Sequence, residues 1–408
     1  MNTDIFDYTE LDNQIIITGL KNDTIETSII IPKKINGKPV TQIAERAFKK
    51  SHITGVQIGE NIKNIELAAF EDCKELVSVV YKAHCKIPNS CFCNCTNLSE
   101  FDFAHVEVID QAAFVASGLT KVYLPNNIKK IEGEAFRNCE KLSSVDWHAQ
   151  CDIPELCFAY CLKLSTFNFD NIAAIGNDAF MYSGLTEVIL PYNIEKIGLG
   201  TFRCCNELSS VIWNAQCGIS FECFFNCSKL VKFDFANVET IGEFAFSGSG
   251  LEKVDLLQNI RKIEPLVFFQ CNKLMSVTWY AQCGIPERCF ANCSKLNTFD
   301  FAYVQNIGKY AFTSSGLKEI YLVDNVKEIE EGAYPPNNIP PLNKRSPSCG
   351  SRITHVALQI FCTDIFHGIS SSRISGLVRN SMPGRTVSNN SKYLKTSSPF
   401  AFAVSTML

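Results

Sequence analysis

The sequence predicts a solenoid of α/β-type repeats followed by a non-repeating tail, and three observations carry that prediction. The first is an aromatic column. From Phe48 a Phe recurs every 22 residues, through Phe114, Phe136, Phe180 and Phe224 to Phe312, and Tyr334 takes the next slot. Fixed self-similarity at a period of this size marks stacked repeats. The second is the pattern L-x-x-V-x-L that opens each unit, as in Leu119, Val122 and Leu124. Side chains alternate across a strand, so such a pattern buries one face and exposes the other. The third is a longer period laid over the first: Trp147, Trp213 and Trp279 stand 66 residues apart, with Tyr81 one step earlier. Units this short bury no core alone, so they must stack into a parallel sheet with rungs about 4.8 Å apart.

Residues 1–45 precede the regular register and read as a small N-terminal β cap. Ile15 to Ile17 and Ile29 to Ile31 are β-branched runs separated by Lys21-Asn22-Asp23, which predicts strands joined by a turn. Pro32 ends the second run, and Asn36-Gly37 marks a further turn. Residues 46–334 form about 13 repeat units. In each, the strand is followed by a return through Ile-x-x-Ile, as at Ile128 and Ile131, and then by a short Ala-Phe turn. Three unit types alternate. The first carries Trp, the second Phe-x-Phe as in Phe167 and Phe169, and the third Ser-Gly-Leu as in Ser183-Gly184-Leu185. The third turn is one residue shorter and the return after it one residue longer, so the period survives.

These motifs resemble the BspA-like leucine-rich repeats. The resemblance rests on L-x-x-V-x-L, the Pro after it in Leu124-Pro125 and Leu190-Pro191, Ile-x-x-Ile, Ala-Phe, and Cys three residues after Phe. The phrase Ile35-Asn36-Gly37-Lys38-Pro39-Val40 is similar to the lead-in of that family. The resemblance spans residues of about 5–334. It implies a right-handed leucine-rich repeat solenoid, with a parallel β-sheet on the concave face and short turns or 3-10 segments on the return side. It also implies a surface or secreted binding protein linked to adhesion or recognition.

Composition bounds the function. A net charge of −4 argues against a general nucleic-acid binder. No run of 18 apolar residues predicts a membrane span. The start, MNTDIFDYTELDN, is acidic and has no apolar core of a signal peptide, which points to the cytoplasm where the resemblance points to the cell surface. Residues 335–408 hold eight of the 38 Lys and Arg and one of the 42 acids, so the repeat body is about −11 and the tail about +7. The repeat stops inside a motif, at Ala333-Tyr334, and Pro335-Pro336 follows. The Ser- and Pro-rich tail is expected to be disordered. A frameshift or read-through would give so abrupt a change; a basic tail docked on the acidic body is the competing reading. An uncapped last rung at Ile320 and Leu322 would promote self-association.

Twenty cysteines are the strongest composition signal, and sixteen fall on recurring slots. One slot is three after Phe (Cys73, Cys95, Cys139 and so on), where the third unit type has Ser117, Ser183, Ser249 or Ser315. Another is just before Phe, shared with Ala69, Ala135 or Thr201. Here Cys reads as a small buried residue. Cys85, Cys151, Cys217 and Cys283 have no small-residue equivalent, and each stands six before another Cys, so disulfides such as Cys85–Cys91 stay open. Cys91-Phe92-Cys93-Asn94-Cys95 lacks the second pair that a zinc site wants. No H-E-x-x-H occurs, no phosphate loop, and no nucleophile spaced with a base. No catalytic, cofactor-binding or metal residue is therefore assigned, and the expectation is a protein without enzyme activity.

The Trp series falls on the core side of its strands. What remains for function is the outward face of the sheet. Its central column reads Asp102, Tyr123, Asp146, Asn168, Ile189, Ile212, Asp234, Asp255, Asp300 and Tyr321, with Thr278 before Asp300. Exposed aromatic and aliphatic residues between polar groups suit a protein-binding surface. The expected function is a non-enzymatic protein-binding solenoid with an unidentified protein ligand. The alternatives are an intracellular leucine-rich-repeat scaffold and a truncated or frameshifted gene copy without function.

Overall fold

In the computed structural model, residues 4–318 and 325–334 are described. Among them no helix and no 3-10 segment occurs, so the repeat is not of the α/β type expected: every regular element is a short strand, and the return side is turn held by bonds between rungs. Tyr321, the proposed open strand at Ile320 and Leu322, and the tail 335–408 lie outside the described residues.

The chain enters through β1 (Phe6–Leu11), β2 (Gln14–Leu20), β3 (Ser28–Ile30), β4 (Lys34–Ile35) and β5 (Lys38–Ile43). β1 lies antiparallel on β2, with a bulge between Asp7 and Tyr8. β2 then pairs parallel with β5, and β5 pairs parallel with Asn64–Ile65. β4 and β5 form a hairpin closed by Asn36 and Gly37, at φ 50 and 80. Both central residues of such a two-residue turn need φ > 0, which Asn-Gly supplies at least strain. β3 pairs parallel with Gly55–Ile58, so the front ladder already begins at Ser28.

From there each turn of chain feeds three ladders. The front ladder holds Gly55–Ile58 and Ser78–Tyr81, then Lys121–Leu124 with Ser144–Trp147, and Glu187–Leu190 with Ser210–Trp213. Each strand buries alternate residues, as the e-B-e-B order of Ser144–Trp147 shows. A continuous front sheet is expected from stacking, yet the ladder lapses at the Phe-x-Phe rungs around Phe101, Phe167 and Phe233. Those rungs bring two inward rings within 4.8 Å of each other where neighbouring rungs carry Val with Leu or Trp. The fourth such rung, with Phe299 and Phe301 at 4.5 Å, keeps its pairing through Thr298–Asp300, so ring volume alone does not open the gap. The return ladder is equally broken, into triplets such as Ile153, Ile175 and Ile197.

The third ladder has no such gaps. At the Phe turn three backbone bonds cross each step: Ala68 N–H to the Asn89 carbonyl, Phe70 to Cys91 and Asp72 to Cys93, at 2.8–3.0 Å. The central bond of that set recurs without a break from Phe48–Ala69 to Phe312–Ala333. The rings follow the backbone. Phe48 to Tyr334 stack at centroid distances of 5.0–5.9 Å with interplanar angles of 5–25°. Each such pair contributes about 0.5–1.5 kcal/mol beyond its buried area. The Phe sits between two left-handed corners, as Phe136 between Glu134 at φ 62 and Asn138 at φ 60.

The slot three after Phe has a job that small size alone does not explain. Each of its eight thiols donates to the carbonyl of the Phe one rung back, at 3.0–3.3 Å, as Cys95 to Phe70 and Cys205 to Phe180. At Ser117, Ser183 and Ser249 the hydroxyl meets the next thiol, as Ser117 with Cys139 at 3.3 Å. Cys and Ser interchange there because both can donate. The third unit type adds a backbone bond of its own, to a different acceptor: Gly184 N–H bonds the Cys161 carbonyl at 3.1 Å. A Cβ on Gly184 would stand 2.2 Å from the Leu162 carbonyl oxygen, so only Gly fits this shorter turn.

Candidate functional site

The outward column of the front ladder is built by strand alternation. Val122 and Leu124 point in, so Tyr123 between them points out; Val188 and Leu190 do the same for Ile189. Parallel register then sets neighbours side by side: Tyr123 opposite Asp146, Ile189 opposite Ile212, Asp255 opposite Thr278. Tyr123 is 58% exposed, Ile189 49% and Ile212 44%, and Val80 on an earlier rung is 47% exposed. Water therefore meets apolar surface on a sheet whose opposite face is a closed core.

The polar members of the column divide into two groups. Asp102, Asn168, Asp234 and Asp300 stand on Phe-x-Phe rungs, and each accepts the backbone N–H two residues on through its Oδ1, at 2.9 Å. They shape the turn that leaves the strand. Sequence reasoning took them as free surface groups; their spacing of 66 residues and the small or polar residue two places later were the available signal. Asp146 and Asp255 are side-chain partners instead. His148 Nε2 lies 2.8 Å from Asp146 Oδ1, and the His148 ring packs 5.5 Å from that of Tyr123. Asp255 meets Lys253 at 2.8 Å. Burial raises the Asp255 carboxyl, but the Lys253 and Thr278 hydrogen bonds outweigh it and hold the group below its ordinary range. Tyr321 is not among the described residues.

The Trp series faces inward, with Trp147, Trp213 and Trp279 all buried. Trp213 and Trp279 donate their indole N–H to the carbonyls of Cys217 and Cys283 at 3.3 and 3.1 Å, and Tyr81 Oη donates to the Cys85 carbonyl at 3.2 Å. In those three rungs the bond accounts for the spacing to the slot, and Tyr81 Oη also meets the Cys85 Sγ at 3.2 Å, while the Trp147 indole N–H makes no such bond. The thiols in this slot are half-buried and free. Burial pushes most of the thiols up, Cys139 and Cys205 to about 12 and Cys151 and Cys283 to about 11; at Cys271 burial acts the same way, but hydrogen bonds with Cys293 and Ser249 outweigh it and lower the thiol.

Sequence reading also passed over an Asn in every third turn. Asn127 and Asn193 each donate through Nδ2 to two carbonyls of the preceding rung, those of Ala104 and Val106 and of Asp170 and Ile172. Asn61 and Asn259 do likewise. Their spacing of 66 residues was the visible sign.

This geometry defines a parallel β-solenoid of short rungs with one exposed strand face. Its profile match is to the BspA type Leucine rich repeat region (6 copies), over residues 20–143, 151–275 and 218–339. The chain belongs to that family. A leucine-rich repeat protein from Bacteroides ovatus shares the fold at 20% identity, with a TM-score of 0.54, over 83% of this chain and 90% of the other. A leucine rich cell surface protein from Faecalibacterium prausnitzii is also 20% identical, with a TM-score of 0.47, over 83% and 86% of the two chains. The pneumococcal vaccine antigen PcpA matches at 17% identity and a TM-score of 0.37, over 83% and 80%. A search of curated protein sequences returns no significant match. Among the described residues no helix is long and apolar enough to cross a membrane.

Proposed function

We propose that this chain is a non-enzymatic recognition protein that docks a protein ligand on its front sheet, in the manner of an adhesion-type repeat. The observation that carries the reading is the apolar group Tyr123, Ile189 and Ile212, held outward on a rigid strand face with the two Ile in register. Asp146, between Tyr123 and the Ile pair, and Asp255, beyond the pair, lend polar selectivity to the same surface. No catalytic role is given to the cysteines: thiols held protonated by burial are poor nucleophiles. β1 and β2 serve as the N-terminal cap in this reading, since the outermost strand is antiparallel, bulged and charged at Asp7 and Glu10, features that discourage further pairing.

The test is selective loss of binding. A protein captured by the parent chain should be lost when Ile189→Asp and Ile212→Asp are combined, and kept when Lys196→Ala and Arg261→Ala are made on the return side. Equal loss from both pairs, with folding intact, would place recognition elsewhere.

A further inference from the structure

The turn that leaves each front strand carries a row of side chains that protein docking on the sheet does not use. In every turn from His84 to Tyr303 the apex residue is His, Asn, Gln or Tyr, and it is exposed. Gln150, Asn171, Tyr192, Gln216, Asn237 and Gln258 are successive members. One residue in five of the chain is charged, a share of 20%, and exposed apices are where charge normally collects. None stands on this row. Of those six, only Asn237 makes a side-chain hydrogen bond among the described residues, giving Nδ2 to the Trp213 carbonyl at 3.3 Å. The others keep their donors and acceptors free.

At residues 214–259 the row opens into a groove of about 460 Å³, lined by Asn214, Gln216, Asn237, Asn259 and Thr240. Room for it comes from Gly218, where a Cβ would meet Thr240 Oγ1 at 1.9 Å; the preceding block has Asp152 at this place. Glu239 is the one charged residue of the lining, and Arg261 reaches it at 3.8 Å. A carboxamide offers two donors and an acceptor with two lone pairs. Asn214 and Gln216 keep theirs free, Asn237 has one donor left beside its bond to Trp213, and Asn259, whose donors go to the Phe235 and Val238 carbonyls, offers its Oδ1; with no cation in the lining, this set suits a ligand rich in hydroxyl groups and without negative charge. Stacked rungs repeat the row about every 4.8 Å, so a chain of similar units would meet the same kind of group at each step.

We propose that this groove binds a neutral oligosaccharide, laid along the Asn and Gln apices. The site is separate from the front sheet, so it can stand or fall without the protein-docking reading. The experiment uses the full chain on an array of neutral glycans (gluco-, manno- and N-acetylglucosamine oligomers), followed by calorimetric titration of the best hexasaccharide. Binding should fall at least tenfold in Gln216→Ala combined with Asn237→Ala, whose melting temperature is measured alongside. Gly218→Asp should also block it, while Ile189→Asp should leave it unchanged. No binding to any neutral glycan, binding confined to acidic glycans, preference for an extended Ser- and Gly-rich peptide, or binding indifferent to the paired substitution would each overturn the proposal.

Discussion

The Phe turn and the front sheet come from the same rungs yet differ in every physical respect. At the Phe turn, backbone bonds and stacked rings run without a break from Phe48 to Tyr334. On the front sheet the ladder lapses every third rung until the last block, and apolar side chains stand in water. The difference teaches which side is free to vary. A column that must stack on itself accepts only a Phe or Tyr ring, whereas an outward column that touches no neighbouring core can take Asp, Tyr, Thr or Ile. Stability resides in the turn, and the outward face of the sheet is the side left free to vary.

The largest way to break this comparison is to remove a ring from the spine. Phe180→Ala should cost about 3–5 kcal/mol, since the ring is fully buried between Phe158 and Phe202. A melting curve that matches the parent would show that the column is not the spine. Next comes Gly184→Ala, which sets a methyl against the Leu162 carbonyl oxygen and should cost about 1–3 kcal/mol by crowding. Denaturant titration measures both.

Alkaline pH sharpens the comparison from the thiol side. Cys139 and Cys205 move from 9.0 to about 12 in the folded chain. Above pH 9 the unfolded chain releases these protons while the folded chain keeps them. The stabilisation is thus fully present below pH 9 and is lost as pH rises towards 12, by at most about 1.4 kcal/mol per pH unit for each such thiol. Melting temperature followed from pH 8 to 11 should fall, and fall less in Cys139→Ser. The smallest effect belongs to the front sheet: Ile189→Ala should change stability by no more than about 0.5 kcal/mol, and a large loss there would mean that the sheet, too, is structural.

Much of the spine was legible in the sequence, because stacking enforces identity and identity at a fixed period can be read by eye. Phe136 and its copies, the inward Trp147 series and the shorter turn at Gly184 were all visible in that way. The left-handed corners were not. Glu134 and Asn138 carry no glycine signal, because the bonds between rungs hold the corner whatever the side chain, against a strain of about 1–2 kcal/mol. Cys95 and its copies were read as small residues, since a thiol's hydrogen bond leaves no mark on spacing. On the candidate face, Tyr123, Ile189 and Ile212 were found by alternation alone. The turn-forming role of Asp102, Asn168, Asp234 and Asp300 was missed, because a carboxylate on a strand face and one that closes a turn look alike until the backbone is placed.

Amide hydrogen exchange tests the central claim most directly. The account predicts strong protection at Phe70, Phe92, Phe114 and onward in steps of 22 to Phe290, whose N–H groups all bond the next rung. It predicts faster exchange on the front strands at Phe101, Phe167 and Phe233, where the ladder lapses. Even protection along the front sheet, or gaps in protection along the Phe column, would contradict it.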